Sequence, residues 1–334
     1  MQFPSFSIIV ETENLASAAL AGLCRSLDAI AAQDLSPACA EEVLILESGD
    51  LSPDLLETLA GKYPWLTVRT IAAEMDYYAA KMQGVALTTG EIIVFVDSDC
   101  LYEPNWLRSL LTPFTQKDEI QVVAGETRTS PRGIYGLAIS LTYIFPPFSH
   151  RSDLHPTRFY FFNNVAFRRS VLLAYPIPTA LPIYRGNCVL HAHKLTQHGI
   201  TLWRQPIARA VHAAPNGVAH FCWRFILLGY DALSLYRLRR ARGQTLPAQP
   251  LPVIHPVEDL FIGLALVAMR VKEATVRVFK LIREQPSHLL ALPFAAVIAL
   301  VSLLLFLLGV GIAYLRPSYF LADGDRVNVN WESS

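Results

Sequence analysis

Two carboxylates, Asp97 and Asp99, directly follow an apolar run at residues 92–96. Such a run is typical of a buried strand, so we expect the pair at the strand's carboxyl end, where a ligand can reach it. A hard divalent cation such as Mg²⁺ or Mn²⁺ takes one or two protein carboxylates and fills its other positions with water and diphosphate oxygens. Bound here, the cation would neutralise charge on a nucleotide diphosphate. The alternative is a solvated turn or a helix cap.

The first 125 residues alternate short β-type runs with helical segments, which predicts an α/β sheet layered with helices. The predicted strands are 6–12, 42–47, 66–71, 91–97 and 120–125, and the predicted helices are 14–33, 53–62, 77–87 and 104–115. In an open α/β sheet the ligand site lies beyond the carboxyl ends of the strands. Glu11, Glu47, Asp97 and Asp99 all fall at that edge.

Four segments of the chain resemble, in order, the motifs of the family-two glycosyltransferases. They are Ser-Ile-Ile-Val-Glu-Thr-Glu-Asn at 7–14, Glu-Val-Leu-Ile-Leu-Glu-Ser-Gly-Asp at 42–50, Lys81 to Gly84 with Thr-Gly-Glu at 89–91, and Asn-Asn-Val-Ala-Phe-Arg-Arg at 163–169. The resemblance runs from about residue 6 to about residue 212. It implies the GT-A fold, a Rossmann-like sheet with helices on both faces, and a nucleoside diphosphate sugar as the donor.

The resemblance also implies roles for individual residues. Thr12 and Glu47 would line the nucleobase pocket, and Asp97 would contact the ribose and diphosphate. Lys81, in the third motif, joins these donor-binding residues. Asp99 would bind Mg²⁺ or Mn²⁺, and His212 matches a histidine that often closes the metal or diphosphate site.

The sequence departs from the family pattern at positions where the relatives carry function. Glu11 replaces a proline, and Ser48 replaces an aspartate that can bind the base in relatives. Asn187 and Cys188 stand where the family has a Glu-Asp pair whose aspartate is the general base.

Asparagine cannot take the proton from the acceptor's hydroxyl group, so another residue must be the base. A general base typically raises the reaction rate by about 10²–10⁴-fold. Cys188 could serve if a helix N-terminus lowered its pKa. Glu126, just past the fifth predicted strand, is the second candidate. A zinc site at Cys188, His191 and His193 is disfavoured, because residue 193 turns away from the helix face that 188 and 191 share.

The C-terminal region predicts membrane association, because residues 289–315 contain no charged side chain and exceed the roughly 20 residues that cross a bilayer. Five basic residues precede this stretch: Arg270, Lys272, Arg277, Lys280 and Arg283. The positive-inside rule therefore places the preceding chain in the cytoplasm. The absence of signal-peptide features near residue 1 agrees with this orientation. With 28 basic and 28 acidic residues, the composition gives no reason to expect a nucleic-acid partner.

These patterns divide the chain into predicted parts. Residues 1–220 form the GT-A domain, with a nucleotide-sugar half at 1–125 and an acceptor half at 126–220. Residues 221–286 hold interfacial helices and a proline-rich linker, 287–316 a transmembrane helix, and 317–334 a polar tail.

The leading hypothesis is sugar transfer to a lipid-linked or cell-envelope polysaccharide acceptor at the cytoplasmic face of the cell membrane. A catalytically silent sugar-nucleotide-binding protein of the same fold is the alternative. Nucleotidyl transfer ranks last, because neither glycine nor lysine follows the first strand at 11–15.

Overall fold

The computed structural model describes residues 3–12, 20–49, 51–73, 75–179, 181–240 and 256–320. The chain divides into two compact units. The first takes in Met1–Arg128, Phe148–Thr179 and Cys188–Ala213, and the second takes in Thr129–Pro147, Ala180–Asn187 and Ala214–Ser334. Each unit is therefore assembled from separate stretches of the chain.

The first unit is built on a sheet to which nine strands contribute within the described residues. These are β1 Phe6–Glu11, β2 Glu42–Glu47, β3 Leu66–Thr70, β4 Ile92–Asp97, β5 Cys100–Tyr102, β6 Val122–Thr129, β7 His155–Thr157, β8 Asn164–Arg168 and β9 Leu202–His212. Their order is β3-β2-β1-β4-β8-β6-β9-β5, with β7 paired to β9. The strands β3, β2, β1 and β4 are parallel, and β8 joins β4 antiparallel. The α/β sheet predicted from the first 125 residues is confirmed.

Helices cover both faces of this sheet, as predicted. Alternate residues of each strand point to opposite faces, so Ile8 and Val10 pack in one apolar core while Ile9 packs in the other. The first core holds side chains of α1 Leu20–Ala31, α2 Pro53–Lys62 and α4 Trp106–Gln116. The second holds side chains of α3 Tyr77–Leu87, α6 Arg169–Ala174 and α7 Asn187–Gln197. The predicted helix 14–33 begins outside the described residues, and its described part is α1.

The second unit is helical. It contains α5 Gly133–Thr142, α8 Gly217–Arg240, α9 Pro256–Glu284 and α10 His288–Leu315. Within the described residues, α10 is the one helix long and apolar enough to cross a membrane, with a mean hydropathy of 2.8. Ala295, Ser302 and Phe306 on one face of α10 are buried, whereas Leu290, Phe294 and others on the opposite face are exposed.

The sequence pattern from residue 130 to about 215 predicts loops with one helix at 187–198. The helix is confirmed as α7, but the prediction of loops for the rest is wrong, because β7, β8, β9, α5 and α6 also lie there. The apolar residues 260–269, too short to span a bilayer and predicted to lie at the interface or against the globular domain, belong to the 29-residue helix α9. Apolar side chains there, such as Leu260 and Phe261, are exposed.

Candidate functional site

Strand pairing brings Asp99 and His212 together at the carboxyl end of β4. The chain leaves β4 at Asp97 and enters the short strand β5, which pairs antiparallel with β9 so that Cys100 lies opposite His212. The Ala213 N–H donates to the Asp99 carbonyl over 2.9 Å. As a result, His212 Nε2 lies 3.1 Å from Asp99 Oδ2, with both side chains largely shielded from solvent.

The donor atoms at this point suit a hard divalent cation. His212 Nδ1 lies 2.6 Å from the Ala213 carbonyl oxygen, which can only accept, so Nδ1 carries a proton and Nε2 faces Asp99. A metal-binding histidine is typically oriented by such a bond from its other nitrogen. One oxygen and one nitrogen ligand fit Mg²⁺ or Mn²⁺. The residues therefore fit the metal that the sequence predicts.

Cys100 lies in the same cluster, since its donor atom and those of Asp99 and His212 all lie within 4.8 Å of one another. The side chain is fully buried, and this burial raises the pKa of the thiol well above its usual range. A protonated thiol is a poor ligand for a hard cation. Cys100 is therefore a packing residue beside the Asp99 and His212 side chains.

Asp97 is held by two side chains of α3. Its carboxylate accepts hydrogen bonds from the Tyr77 hydroxyl at 2.9 and 3.0 Å and from Lys81 Nζ at 2.8 Å. Lys81 is fully buried, and its ammonium also lies 4.6 Å from the centre of the Tyr77 ring. Tyr77 and Lys81 are one helical turn apart, so they share the face of α3 that meets β4. Lys81 is therefore buried beneath the Asp97 carboxylate and contacts it from the side of α3.

The backbone of Asp97 is fixed as well. The Asp97 N–H donates to the Tyr102 hydroxyl oxygen at 3.1 Å, and that hydroxyl donates to the Asn163 carbonyl at 2.9 Å. The Thr127 hydroxyl in turn donates to Asn163 Oδ1 at 3.1 Å. Sequence reasoning missed Tyr77 and Tyr102. The spacing of Tyr77 from Lys81 could have indicated the first, but no sequence signal indicates the second.

Thr12 directly follows β1 and Glu47 ends the neighbouring strand β2, whose parallel register pairs Glu11 with Leu46. The Thr12 hydroxyl donates to the Leu46 carbonyl at 2.8 Å. Glu47 Oε1 accepts from the N–H groups of Gly49 at 2.5 Å and Leu51 at 3.0 Å. Gly49 has a φ of 101°, which favours glycine. Of the two predicted nucleobase contacts, Thr12 is therefore bonded to the end of β2 and Glu47 to residues that follow it.

Glu126 lies on β6, where its Oε2 accepts the Ser149 N–H at 2.8 Å. Cys188 lies in the first turn of α7, where burial raises the pKa of the thiol to about 12. The sequence argument needed a lowered pKa, so the structure removes the physical ground for a Cys188 thiolate at neutral pH.

His191 is a structural residue. Its Nδ1 lies 2.5 Å from the Tyr160 hydroxyl, and its Nε2 lies 2.7 Å from the Tyr175 carbonyl oxygen. Burial lowers the pKa of the imidazole to about 4, so it is neutral at pH 7. Because both ring nitrogens already have partners, His191 is unsuited to binding zinc.

Comparison with known proteins gives the family. A profile of glycosyl transferase family 2 matches residues 7–175, about half of the chain. The chain belongs to this family, and it is a glycosyltransferase with the GT-A fold.

Solved structures share the fold at low sequence identity. One is GalNAc-T7 with UDP, GalNAc and Mn²⁺, with a TM-score of 0.55, 13% identity and 74% of this chain covered. The present chain spans 52% of that protein. Another is the mannosyltransferase PcManGT from Pyrobaculum calidifontis in complex with GDP-Man and Mn²⁺, with a TM-score of 0.59, 17% identity, and 95% of this chain and 88% of that chain covered. Among curated proteins, none matches significantly.

Proposed function

We propose that this glycosyltransferase transfers a sugar from a nucleoside diphosphate donor to a lipid-linked or cell-envelope acceptor. The transfer would occur at the cytoplasmic face of the membrane and would depend on Mg²⁺ or Mn²⁺. The observation that carries the proposal is the approach of His212 to Asp99 at the end of β4, 3.1 Å between Nε2 and Oδ2. The Mn²⁺ and nucleotide ligands of the two similar structures support the same donor class.

In this proposal, Asp99 and His212 would hold the cation, which would neutralise charge on the leaving diphosphate. Asp97 would contact the ribose and diphosphate. Lys81 and Tyr77 hold its carboxylate in one orientation, so a donor would meet a group that is already positioned. Thr12 and Glu47 would line the base pocket.

A membrane acceptor is supported by the second unit. The helix α10 combines spanning length with a row of exposed apolar side chains, including Leu300, Leu304 and Leu308. A surface of this kind on a soluble protein would be an aggregation liability, whereas lipid would cover it. We propose that α10 anchors the protein. The basic residues of α9 would keep the preceding chain on the cytoplasmic side.

Glu126 is the proposed general base, because the neutral Cys188 thiol leaves it as the remaining candidate. The Ser149 N–H donates to its Oε2 at 2.8 Å and so holds the carboxylate in one orientation.

The competing candidate is a protein of the same fold that binds a sugar nucleotide without turning it over. Asn187 in place of an acid and a Cys188 thiol with a pKa of about 12 favour it. Detectable turnover that is abolished by chelation would exclude it.

A donor screen tests the proposed function. The full-length protein in detergent is given common sugar nucleotides with Mn²⁺ and membrane lipid extract as the acceptor, and the released nucleoside diphosphate is measured. We expect one donor to be consumed by the wild type and not by Asp99→Ala. Equal consumption of every donor by both proteins would refute the proposal.

The membrane orientation has a separate test. We expect a tag after Ser334 to be reached by reagents outside intact cells and a tag before Met1 to be protected. Equal protection of both tags would contradict a single span.

A further inference from the structure

A buried carboxylate on α8 contacts the chain just before α7. Asp231 Oδ1 accepts the Tyr184 N–H and Asp231 Oδ2 accepts the Arg185 N–H, each at 2.9 Å. Asp231 is itself buried. Charge-assisted bonds to two successive N–H groups fix both the position and the orientation of a peptide segment. The segment 184–186 is therefore held through its backbone.

Other side chains on the same face of α8 also pack against residues 184–186. Tyr184 packs edge-on against Trp223 with ring centres 5.1 Å apart, and the Arg185 guanidinium lies 4.5 Å from the Tyr184 ring centre. Gly186 has a φ of 117°, and a Cβ there would meet Leu235 Cδ1 at 2.5 Å. Trp223, Asp231 and Leu235 are separated by multiples of four residues and so lie along one side of the helix.

Residues 184–186 directly precede Asn187, where α7 begins. Asn187 and Cys188 occupy the positions at which relatives carry their acidic pair, in the predicted acceptor half of the domain. The backbone just before α7 is contacted by a side chain from outside that helix. That side chain is Asp231, which accepts two hydrogen bonds there.

We propose that Asp231 is a positioning residue whose carboxylate holds residues 184–186 and thereby fixes the start of α7 for acceptor binding. The acceptor role rests on the proposed function, whereas the backbone contact does not. Protonation of Asp231 would remove one of the two acceptor oxygens, because a carboxylic O–H no longer accepts an N–H effectively. The segment should then loosen on acidification.

The surroundings set the pH range of this effect. Burial raises the pKa of Asp231 to about 7, while the two backbone N–H bonds and the charges of Arg224 and Arg185 act in the opposite direction. Tyr230 is the neighbouring residue on α8, and burial raises the pKa of its phenol to about 12, so it stays neutral below pH 8. The helix α10 brings no charged side chain, since its titratable groups are His288 and Tyr314. Arg224 and Arg185 keep their charge throughout, so Asp231 is the group that changes.

Hydrogen exchange of the full-length protein in detergent tests the contact directly. Peptides covering 181–187 are followed at pH 8 and pH 5.5, with exchange corrected for the intrinsic rate at each pH. At pH 8 we expect exchange about tenfold to hundredfold faster in Asp231→Asn than in the wild type, the range for losing a bond to a charged acceptor. Wild-type exchange should rise at pH 5.5, and the variant should lose this pH dependence.

Asp259→Asn is the matched control. Asp259 is also a buried carboxylate of the second unit, but it pairs with Arg237 at 2.8 Å. Its substitution should leave exchange of 181–187 unchanged. Unchanged exchange in Asp231→Asn, equal acceleration in Asp259→Asn, or a pH-independent wild type would overturn the proposal.

Kinetics test the acceptor role separately. With membrane lipid extract as the acceptor, Asp231→Asn should raise the KM for acceptor and leave the KM for donor unchanged. In the wild type the acceptor KM should rise as the pH falls through about 7, and the variant should lose this dependence. A changed donor KM would refute the acceptor role. If no donor is consumed by the wild type while the exchange result holds, the proposed function fails and the backbone contact stands.

Discussion

The ion pair between Lys81 and Asp97 gives a prediction with a calculable size. The Nζ–Oδ1 distance is 2.8 Å, and both side chains are almost entirely shielded from water. At an effective dielectric constant of about 20, this pair is worth ~6 kcal/mol of Coulomb energy. Removing one partner of such a pair costs about 3–5 kcal/mol, because the other charge is left buried. For a unit of 150–250 residues, this loss lowers the apparent Tm by about 6–20 °C.

We therefore expect Lys81→Met to lower the apparent Tm of the detergent-solubilised protein by that amount. The double variant Lys81→Met with Asp97→Asn should recover part of the loss, because no buried charge remains. Thermal unfolding followed by intrinsic fluorescence measures both variants.

Lys62→Met is the matched control. Lys62 pairs with Asp28 at the same 2.8 Å, but about half of each side chain is exposed. Exposed pairs contribute little, so this control should shift the Tm much less. Equal shifts for Lys81→Met and Lys62→Met would refute the reasoning from burial, and so would a double variant no more stable than Lys81→Met.

Three further predictions concern Gly309, Cys188 and His191. Gly309→Ala should destabilise the second unit by about 1–3 kcal/mol, because the added Cβ would overlap the Ile226 carbonyl oxygen. Gly311→Ala is the control: its Cβ would meet open space, so the Tm should not fall. Cys188→Ser should keep the wild-type pH–rate profile between pH 6 and 9, because a thiol with a pKa of about 12 stays protonated there. A fall in kcat of more than about 100-fold would instead indicate that Cys188 is the general base. The folded-state pKa of His191, about 4, lies below the unfolded value near 6.5, so this residue's contribution to stability is lost as pH falls from about 6.5 to 4. His191→Gln should reduce that acid sensitivity, and an unchanged pH dependence of Tm would contradict the assignment.

The sequence predicted the parallel half of the fold well, because its strands are continuous apolar runs separated by helical patterns. Residues 92–96 are an example, and β4 ends at Asp97 as expected. In the antiparallel half, the sequence predicted one strand at 120–125, which is confirmed as β6, and missed the others. The strands β5 and β7 have three residues each, and their pairing with β9 is a long-range contact that local patterns do not encode.

In the candidate site, too, local motifs predicted some residues, whereas long-range contacts were not predicted. The resemblance of motifs predicts Asp99 and His212 as metal ligands, and the structure places His212 Nε2 3.1 Å from Asp99 Oδ2. The complete burial of Lys81 could not be predicted, because it depends on which elements pack over it. Asp231 was missed for the same reason. Its role follows from a contact with Tyr184 and Arg185, 47 and 46 residues away in the sequence.

The most direct test of the central claim is calorimetric binding of UDP and GDP to the full-length protein with and without Mn²⁺. We expect the wild type to bind one of them at least tenfold more tightly with Mn²⁺. Asp99→Ala and His212→Ala should lose this metal dependence. Asp153 is an exposed carboxylate of the same unit, so the control Asp153→Ala should keep the metal dependence. Binding of equal strength with and without Mn²⁺ in the wild type, or full metal dependence in Asp99→Ala, would contradict a metal-assisted sugar-nucleotide site at the end of β4.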